Sequence, residues 1–319
     1  SNIHLNIVNC YVKGANQAIS ILNTVASFVV SMVDSEFVNN TSAQGAILYM
    51  SLSPGQSITW IVTNCLFKDN NVNLQGAVAF FSSLSIVDLQ FTDVVCASNI
   101  ASDGGGFLAA SLTQTPAVNI QMTNFSLNNG GLHGLFTFAL SMSSQFNMAM
   151  DSSYFDSNGV QLMNINQTGS GALLLGIEIE SCQFNGGSGS GSGGVLSIAG
   201  GNSCHIDLSA SSTFFAYNSV TDYGGVMYFE LGTGSTISLN MKGDSFLNNT
   251  AALGGVFYFN LSQNSIIDWT WSTNTFEDNT ATTHGGIIAF YGDASNGTIL
   301  FESNSIKNNE AIGNGSVVS

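Results

Sequence analysis

The sequence predicts an all-β fold, a right-handed parallel β-helix (solenoid) of about ten coils, each of roughly 30 residues with three short strands. Three columns of residues that recur in step predict it. Phenylalanine recurs at Phe37, Phe67, Phe125, Phe155, Phe184, Phe215, Phe246 and Phe276, with Cys96 and Ile306 filling places in the series and Cys10 marking a degenerate first copy. Three residues after these positions stand Asn40, Asn70, Asn99, Asn128, Asn158, Asn218, Asn249, Asn279 and Asn309, with Gly187 as the exception. The second glycine of a doublet gives Gly45, Gly76, Gly106, Gly134, Gly194, Gly225, Gly255, Gly286 and Gly315.

The strands follow from the residues between these columns. After the glycines, runs such as Val226-Met227-Tyr228-Phe229-Glu230-Leu231 alternate with period two, which is a strand with one apolar face. A second strand follows, as in Ser265-Ile266-Ile267-Asp268-Trp269, and a third ends on the phenylalanine. No helical stretch separates them, so a doubly wound sheet has no crossovers to build with. Coiling the chain pairs each strand with its equivalent one turn later and satisfies the backbone groups. Helical and leucine-rich repeats of similar period need helix formers, which are scarce here beside abundant β-branched residues and glycine.

The columns then acquire roles. Strands about 4.8 Å apart bring equivalent side chains into stacks. The phenylalanines form an inner aromatic ladder. The asparagines form a structural amide ladder at a turn, as in cross-β assemblies. The glycines serve positive φ or close approach of neighbouring coils.

Composition bounds the partners. Only 8% of residues are charged, against about 25% in an ordinary domain. Four lysines and no arginine against 20 acids give a net charge of -16. Nucleic acid, anionic membrane surfaces and anionic polysaccharides are all disfavoured by that balance. No stretch reads as a membrane span, because the charge-free run around Phe136, Phe138, Leu140 and Met142 alternates with polar or small residues. The chain lacks an initiator methionine and a leader and starts in repeat-like sequence. It is therefore expected to be one continuous β-helix over residues 1–319, a segment of a longer secreted chain.

Other residue types offer little chemistry. Cys10, Cys65, Cys96, Cys182 and Cys204 form no Cys-x-x-Cys pair and read mainly as small apolar residues, with one or two disulfides between coils open. His4, His133, His205 and His284 do not cluster, so no metal and no cofactor is expected. The glycine-serine run over 186–194 lacks the helix and lysine of a phosphate loop and reads as a flexible loop at a coil turn.

Phe37-Val-Asn-Asn40, Phe67-Lys-Asp-Asn70, Phe246-Leu-Asn-Asn249 and Phe276-Glu-Asp-Asn279 alternate with Gln44-Gly-Ala-Ile47, Gln75-Gly-Ala-Val78 and Gly254-Gly-Val-Phe257. This pairing resembles the repeat of chlamydial polymorphic outer membrane proteins, also found in large surface proteins of ciliates and other microbial eukaryotes. The resemblance implies a β-helical cell-surface passenger used in adhesion, and it implies no catalytic residue.

Eight Asn-x-Ser/Thr sequons occur. Asn40 lies in the ladder and is expected to be bare. Asn39, Asn124, Asn166, Asn248, Asn260, Asn296 and Asn314 are the N-glycosylation candidates, with Asn248 and Asn260 the favoured pair. Carboxylate pairs for glycoside hydrolysis would be Glu178 with Glu180, Asp151 with Asp156, or Glu277 with Asp278. Beyond Glu178 and Glu180 the next coils offer Asp207, with no Lys, Arg or His expected beside it, so solvated surface acids are the plainer reading. Tyr228 and Tyr258 share an outward column and could stack on a sugar. The expectation is a non-catalytic extracellular scaffold or adhesin at the cell surface, stacked end to end or continued by further coils. Its partners are covalent N-glycans and surface glycans of a host or the environment. The alternative is a carbohydrate-active enzyme or glycan-binding module.

Overall fold

The computed structural model describes residues 2–22, 27–53, 55–82, 86–112, 116–128, 135–141, 143–156, 161–167, 171–189, 191–292, 296–313, 315 and 317–318. These residues form strands and turns only, wound as a right-handed parallel β-helix. It has about nine turns, one fewer than the columns suggested. At about 4.8 Å per turn the rod is roughly 43 Å long.

One coil shows the plan. Ser245–Leu247, Thr250–Leu253, Phe257–Leu261 and Ile266–Ser272 follow in order. Each pairs in parallel with its successor: Phe246 with Phe276, Thr250 with Thr280, Tyr258 with Ala289, and Trp269 with Ile299. The seven- and eight-residue strands make an 11-stranded sheet, the strands that follow the glycines a 10-stranded sheet, and the three-residue strands a second 11-stranded sheet. A fourth short segment after the ladder asparagine adds sheets of three and five strands, which the sequence reading did not separate.

Period-two alternation aims every second side chain inward. Ile237, Leu239 and Met241 are buried along one long strand while Asn240 and Lys242 face out. The phenylalanines stack face to face at the strand spacing. Phe155 and Phe184 lie 4.9 Å apart, Phe215 and Phe246 4.9 Å, and Phe246 and Phe276 4.8 Å, all within 4° of parallel. Such contacts add about 0.5–1.5 kcal/mol each beyond burial.

The asparagine ladder has hydrogen bonds in two directions. Asn249 Nδ2 donates to Asn279 Oδ1 at 2.9 Å and to the Phe215 carbonyl of the preceding coil at 3.1 Å. Its Oδ1 accepts the Asn218 backbone N–H at 3.1 Å and Asn218 Nδ2 at 2.9 Å. Asn40, Asn70, Asn99, Asn218 and Asn279 are equally buried, and Asn309 closes the described ladder at 2.8 Å from Asn279. Where Gly187 replaces the asparagine, its own N–H still donates to Asn218 Oδ1 at 2.9 Å.

Three assignments are corrected. Strand register places Leu127, not Phe125, in the phenylalanine column, between Cys96 and Phe155. Phe125 is fully buried two residues earlier, its ring 5.9 Å from Phe155 and tilted by 30°. Both positions face inward, so either accepts an aromatic ring. Asn128 consequently pairs with Ala97 and Asp156 in the three-residue sheet and is not a ladder residue. Asn158 lies outside the described residues. At the first coil Val12 pairs with Phe37, so Val12 fills the column and Cys10 does not.

The glycine column also shifts. Gly45 and Gly76 have φ of +55° and +69° and align with Gly105, Gly193, Gly224, Gly254 and Gly285, the first of each doublet. A Cβ on Gly254 would strike the Phe257 carbonyl oxygen, so both φ and space demand glycine there. Ala46 and Ala77 occupy the second position. Gly315, at φ +70°, belongs to the first column too, while Gly134 lies outside the described residues. The described residues of the run over 186–194 are built into the coil: Gly186 takes a left-handed corner, Ser188 and Gly189 pair with Ser219 and Val220, and Gly193 takes the glycine column.

Candidate functional site

The long-strand sheet has seven register positions, of which the first, third, fifth and seventh face solvent. Their columns run Asn119, Asn147, Gly176 and Asp207; Gln121, Ala149, Glu178 and Ser209; and Thr123, Asp151, Glu180, Ser211 and Lys242. Ala149, Gly176 and Ser209 are short where their neighbours are long. Their clustering on adjacent strands sinks a groove into an otherwise flat face.

The groove has two adjoining parts that share Gln121, Ala149 and Glu178. One, of about 440 Å³, is lined by Asp151, Glu178, Glu180, Asn240 and Lys242. The other, of about 490 Å³, is lined by Asp88, Gln90, Asn119, Asn147 and Gly176. Asn147 Nδ2 donates to Asn119 Oδ1 at 3.1 Å, which leaves further lone pairs and protons of both carboxamides for a ligand. Carboxamides, carboxylates and an ammonium on one trench match the hydroxyls of a saccharide better than an apolar ligand.

Of the carboxylate pairs named from the sequence, Glu178 and Glu180 share this face, exposed across buried Ile179. Asp151 stands directly opposite Glu180 in the strand register. Asp156 lies on the three-residue sheet, where Tyr154 Oη donates to its carboxylate at 3.5 Å, and does not line the groove. Glu277 and Asp278 flank a different corner, with Asp278 at φ +57°. The expectation that no basic residue accompanies the acids fails. Lys242 stands two strands beyond Glu180 in the same column, with Ser211 between them, because a solenoid brings residues some sixty apart onto one face.

A second cluster lies on the outer face of the glycine-led sheet. Tyr228 and Tyr258 do occupy one column, their rings 5.7 Å apart and 9° from parallel. Tyr223, from the turn, lies over Tyr258 at 4.5 Å, and Tyr258 is only 6% exposed, so the pair is no open platform. Tyr228 Oη donates to Glu230 at 2.8 Å, and Asn260 Nδ2 donates to the same carboxylate at 3.4 Å. Burial first, then Tyr223, Tyr291 and Glu230, push the Tyr258 phenol up to about 12. Burial and the Glu230 bond raise Tyr228 as well.

The sequons divide by position. Asn39, Asn124 and Asn248 sit exposed at left-handed corners, with φ of +54°, +52° and +54°. Asparagine tolerates that conformation better than other residues, a constraint the sequence reading did not use. Asn124 Nδ2 donates to Asp93 Oδ1 at 2.5 Å across one corner. Asn166 and Asn296 are exposed on outward strand positions and Asn260 is half-buried. Asn40 is fully buried, its Nδ2 held by Asn70 Oδ1. Asn314 lies outside the described residues.

None of the five cysteines is joined to another in a disulfide. Burial raises Cys65, Cys96 and Cys204 and brings Cys182 to about 11, so these thiols stay protonated at neutral pH. His4 and His205 face solvent on long strands, His284 ends the short strand Thr280–His284 before Gly285, and His133 lies outside the described residues. Among the described residues no three His, Cys, Asp or Glu side chains converge to hold a metal ion, and no helix is long and apolar enough to cross a membrane.

No protein-family model, curated protein or solved structure matches the chain.

Proposed function

We propose that this chain is a non-catalytic, extracellular β-helical rod, a glycosylated scaffold or adhesin displayed at a cell surface. The observation that carries the reading is the division of sequons. Asn39, Asn124, Asn166, Asn248, Asn260 and Asn296 face outward around the rod, and the one sequon in the ladder is buried. A surface solvated by amides and hydroxyls instead of ion pairs suits a glycan coat. The resemblance of the repeat to chlamydial and ciliate surface proteins agrees with it. Labelling of intact, unpermeabilised source cells with antibody to the rod, with loss of signal on mild surface proteolysis, tests the location. Signal only after permeabilisation contradicts it.

A second reading is favoured by the groove at Glu178. There the rod binds a saccharide of an opposing surface, one that is neutral or amine-bearing because the lining is acidic. If it also cleaved glycosides, Asp151, Glu178 and Glu180 would supply the acid and base. Glycan-array binding without product release would assign recognition alone; release abolished by Glu178→Gln would assign catalysis. End-to-end association or continuation into further coils belongs to the same proposal, and sedimentation at rising concentration reads it.

A further inference from the structure

We propose that Cys204 and Gln167 close an intramolecular thioester, which arms the rod for covalent attachment. Leu140 pairs with Gln167 along the glycine-led sheet, so a carboxamide stands at a position that its neighbour fills with leucine. Gln167 is only 6% exposed and its amide is held at both ends. Its Nε2 donates to the Gly171 carbonyl at 2.8 Å, and its Oε1 accepts the Gly201 N–H at 3.3 Å. Cys204, 1% exposed, brings Sγ to 3.7 Å from that Oε1 and also donates to the Gly201 carbonyl at 3.1 Å. A Cβ on Gly200 would lie 2.8 Å from the sulfur, so the glycine keeps the space that the thiol occupies.

The arrangement holds the parts of an acyl transfer. Sγ adds to the Gln167 carboxamide carbon, and the Gly201 N–H on Oε1 stabilises the oxyanion that forms. The thiol proton passes to Nε2, the C–N bond breaks and ammonia leaves, giving an Sγ–Cδ thioester without oxidant or cofactor. Burial disfavours the thiolate, which makes closure slow, and the same burial shields the finished acyl group from water.

A groove lined by Gln167, Gly200, Gly201, Glu230 and Asn260 leads from solvent to this carboxamide. A primary amine or hydroxyl arriving there would take the acyl group, becoming an amide or ester on Gln167 and returning the Cys204 thiol. This capture of an amine- or hydroxyl-bearing surface rests on the adhesive reading; the bond itself does not.

The test is intact mass with thiol counting on the secreted chain, purified without amine buffers and with glycans removed. The expected mass is short by one ammonia, with one fewer alkylatable thiol than the five cysteines provide. Methylamine should then add once, at Gln167, and free the missing thiol. Cys204→Ser should show neither the deficit nor methylamine uptake. A full mass with all five thiols alkylated in the denatured chain overturns the proposal, whether or not any variant folds. A thioester that captures methylamine but leaves the rod unattached to cells would uphold the bond and sink the adhesive role separately.

Discussion

Asp244 accepts the backbone N–H of Thr213 through Oδ1 at 2.8 Å, while no donor among the described residues reaches its Oδ2. Its column continues with Asn274 and Asn304, whose Nδ2 atoms donate to the carbonyls of Met241 at 3.0 Å and Trp271 at 2.9 Å. The equivalent carbonyl for Asp244 is that of Ala210, which pairs with Met241. A carboxyl can serve that carbonyl only when protonated.

The column of Thr213, Asp244, Asn274 and Asn304, separate from the amide ladder, therefore contains a pH-dependent rung. Burial pushes the Asp244 carboxyl up from 3.8 to about 7. A raised folded-state pKa means that the contribution is complete below 3.8 and is lost as pH climbs through about 7. Asp244→Asn should leave stability nearly unchanged at pH 4 and raise it by on the order of 2–4 kcal/mol at pH 8. Urea midpoints at the two pH values check the sign; equal effects at both would contradict it.

The amide ladder predicts a contrast between adjacent residues. Asn249→Ala removes bonds to Asn279, Phe215 and Asn218 and strands a buried N–H and a buried carbonyl, which should cost about 2–4 kcal/mol. Asn248→Gly, one residue earlier at φ +54° and exposed, should change stability by less than about 0.5 kcal/mol. Paired denaturation curves decide whether stability resides in the column or in asparagine content.

At Gly254 the same logic applies to backbone space. Gly254→Ala should destabilise the rod by about 1–3 kcal/mol, since alanine meets both φ +65° and the Phe257 carbonyl. A variant as stable as the parent in thermal melts would return the essential role to the second glycine.

The groove predicts a separation of binding from stability. Ala149 faces outward between Gln121 and Glu178. Ala149→Trp should fill the trench and abolish binding of any oligosaccharide that a glycan array identifies. Its melting temperature should stay within a few degrees of the parent. Undiminished binding would move recognition to another face.

The repeat made the fold legible because a solenoid writes its geometry as period. The phenylalanine stack, the amide ladder and the shared column of Tyr228 and Tyr258 followed from spacing alone, while the burial of Tyr258 under Tyr223 did not. Register was less legible where two inward positions lie two residues apart. Phe125 satisfied the motif by sequence, yet Leu127 fills the column and Asn128 falls in the sheet of three-residue strands. Gly45 and Gly76 were misplaced by one residue because φ, which distinguishes the glycines of a doublet, leaves no mark in the sequence. The groove was invisible for another reason. It arises from Ala149, Gly176 and Ser209, small residues separated by 27 and 33 positions that meet only across strands. Aligning outward strand positions coil by coil would have found it, and Lys242 with it.

Site-by-site glycan mapping of the native protein, with intact and deglycosylated mass, measures most directly what modifies the surface of the rod. The expected result is glycan on Asn248, Asn260 and others of the six outward sequons, with the buried Asn40 unmodified. Protein from the native source that carries no glycan at any of them, or carries one at Asn40, would contradict the glycosylated surface rod.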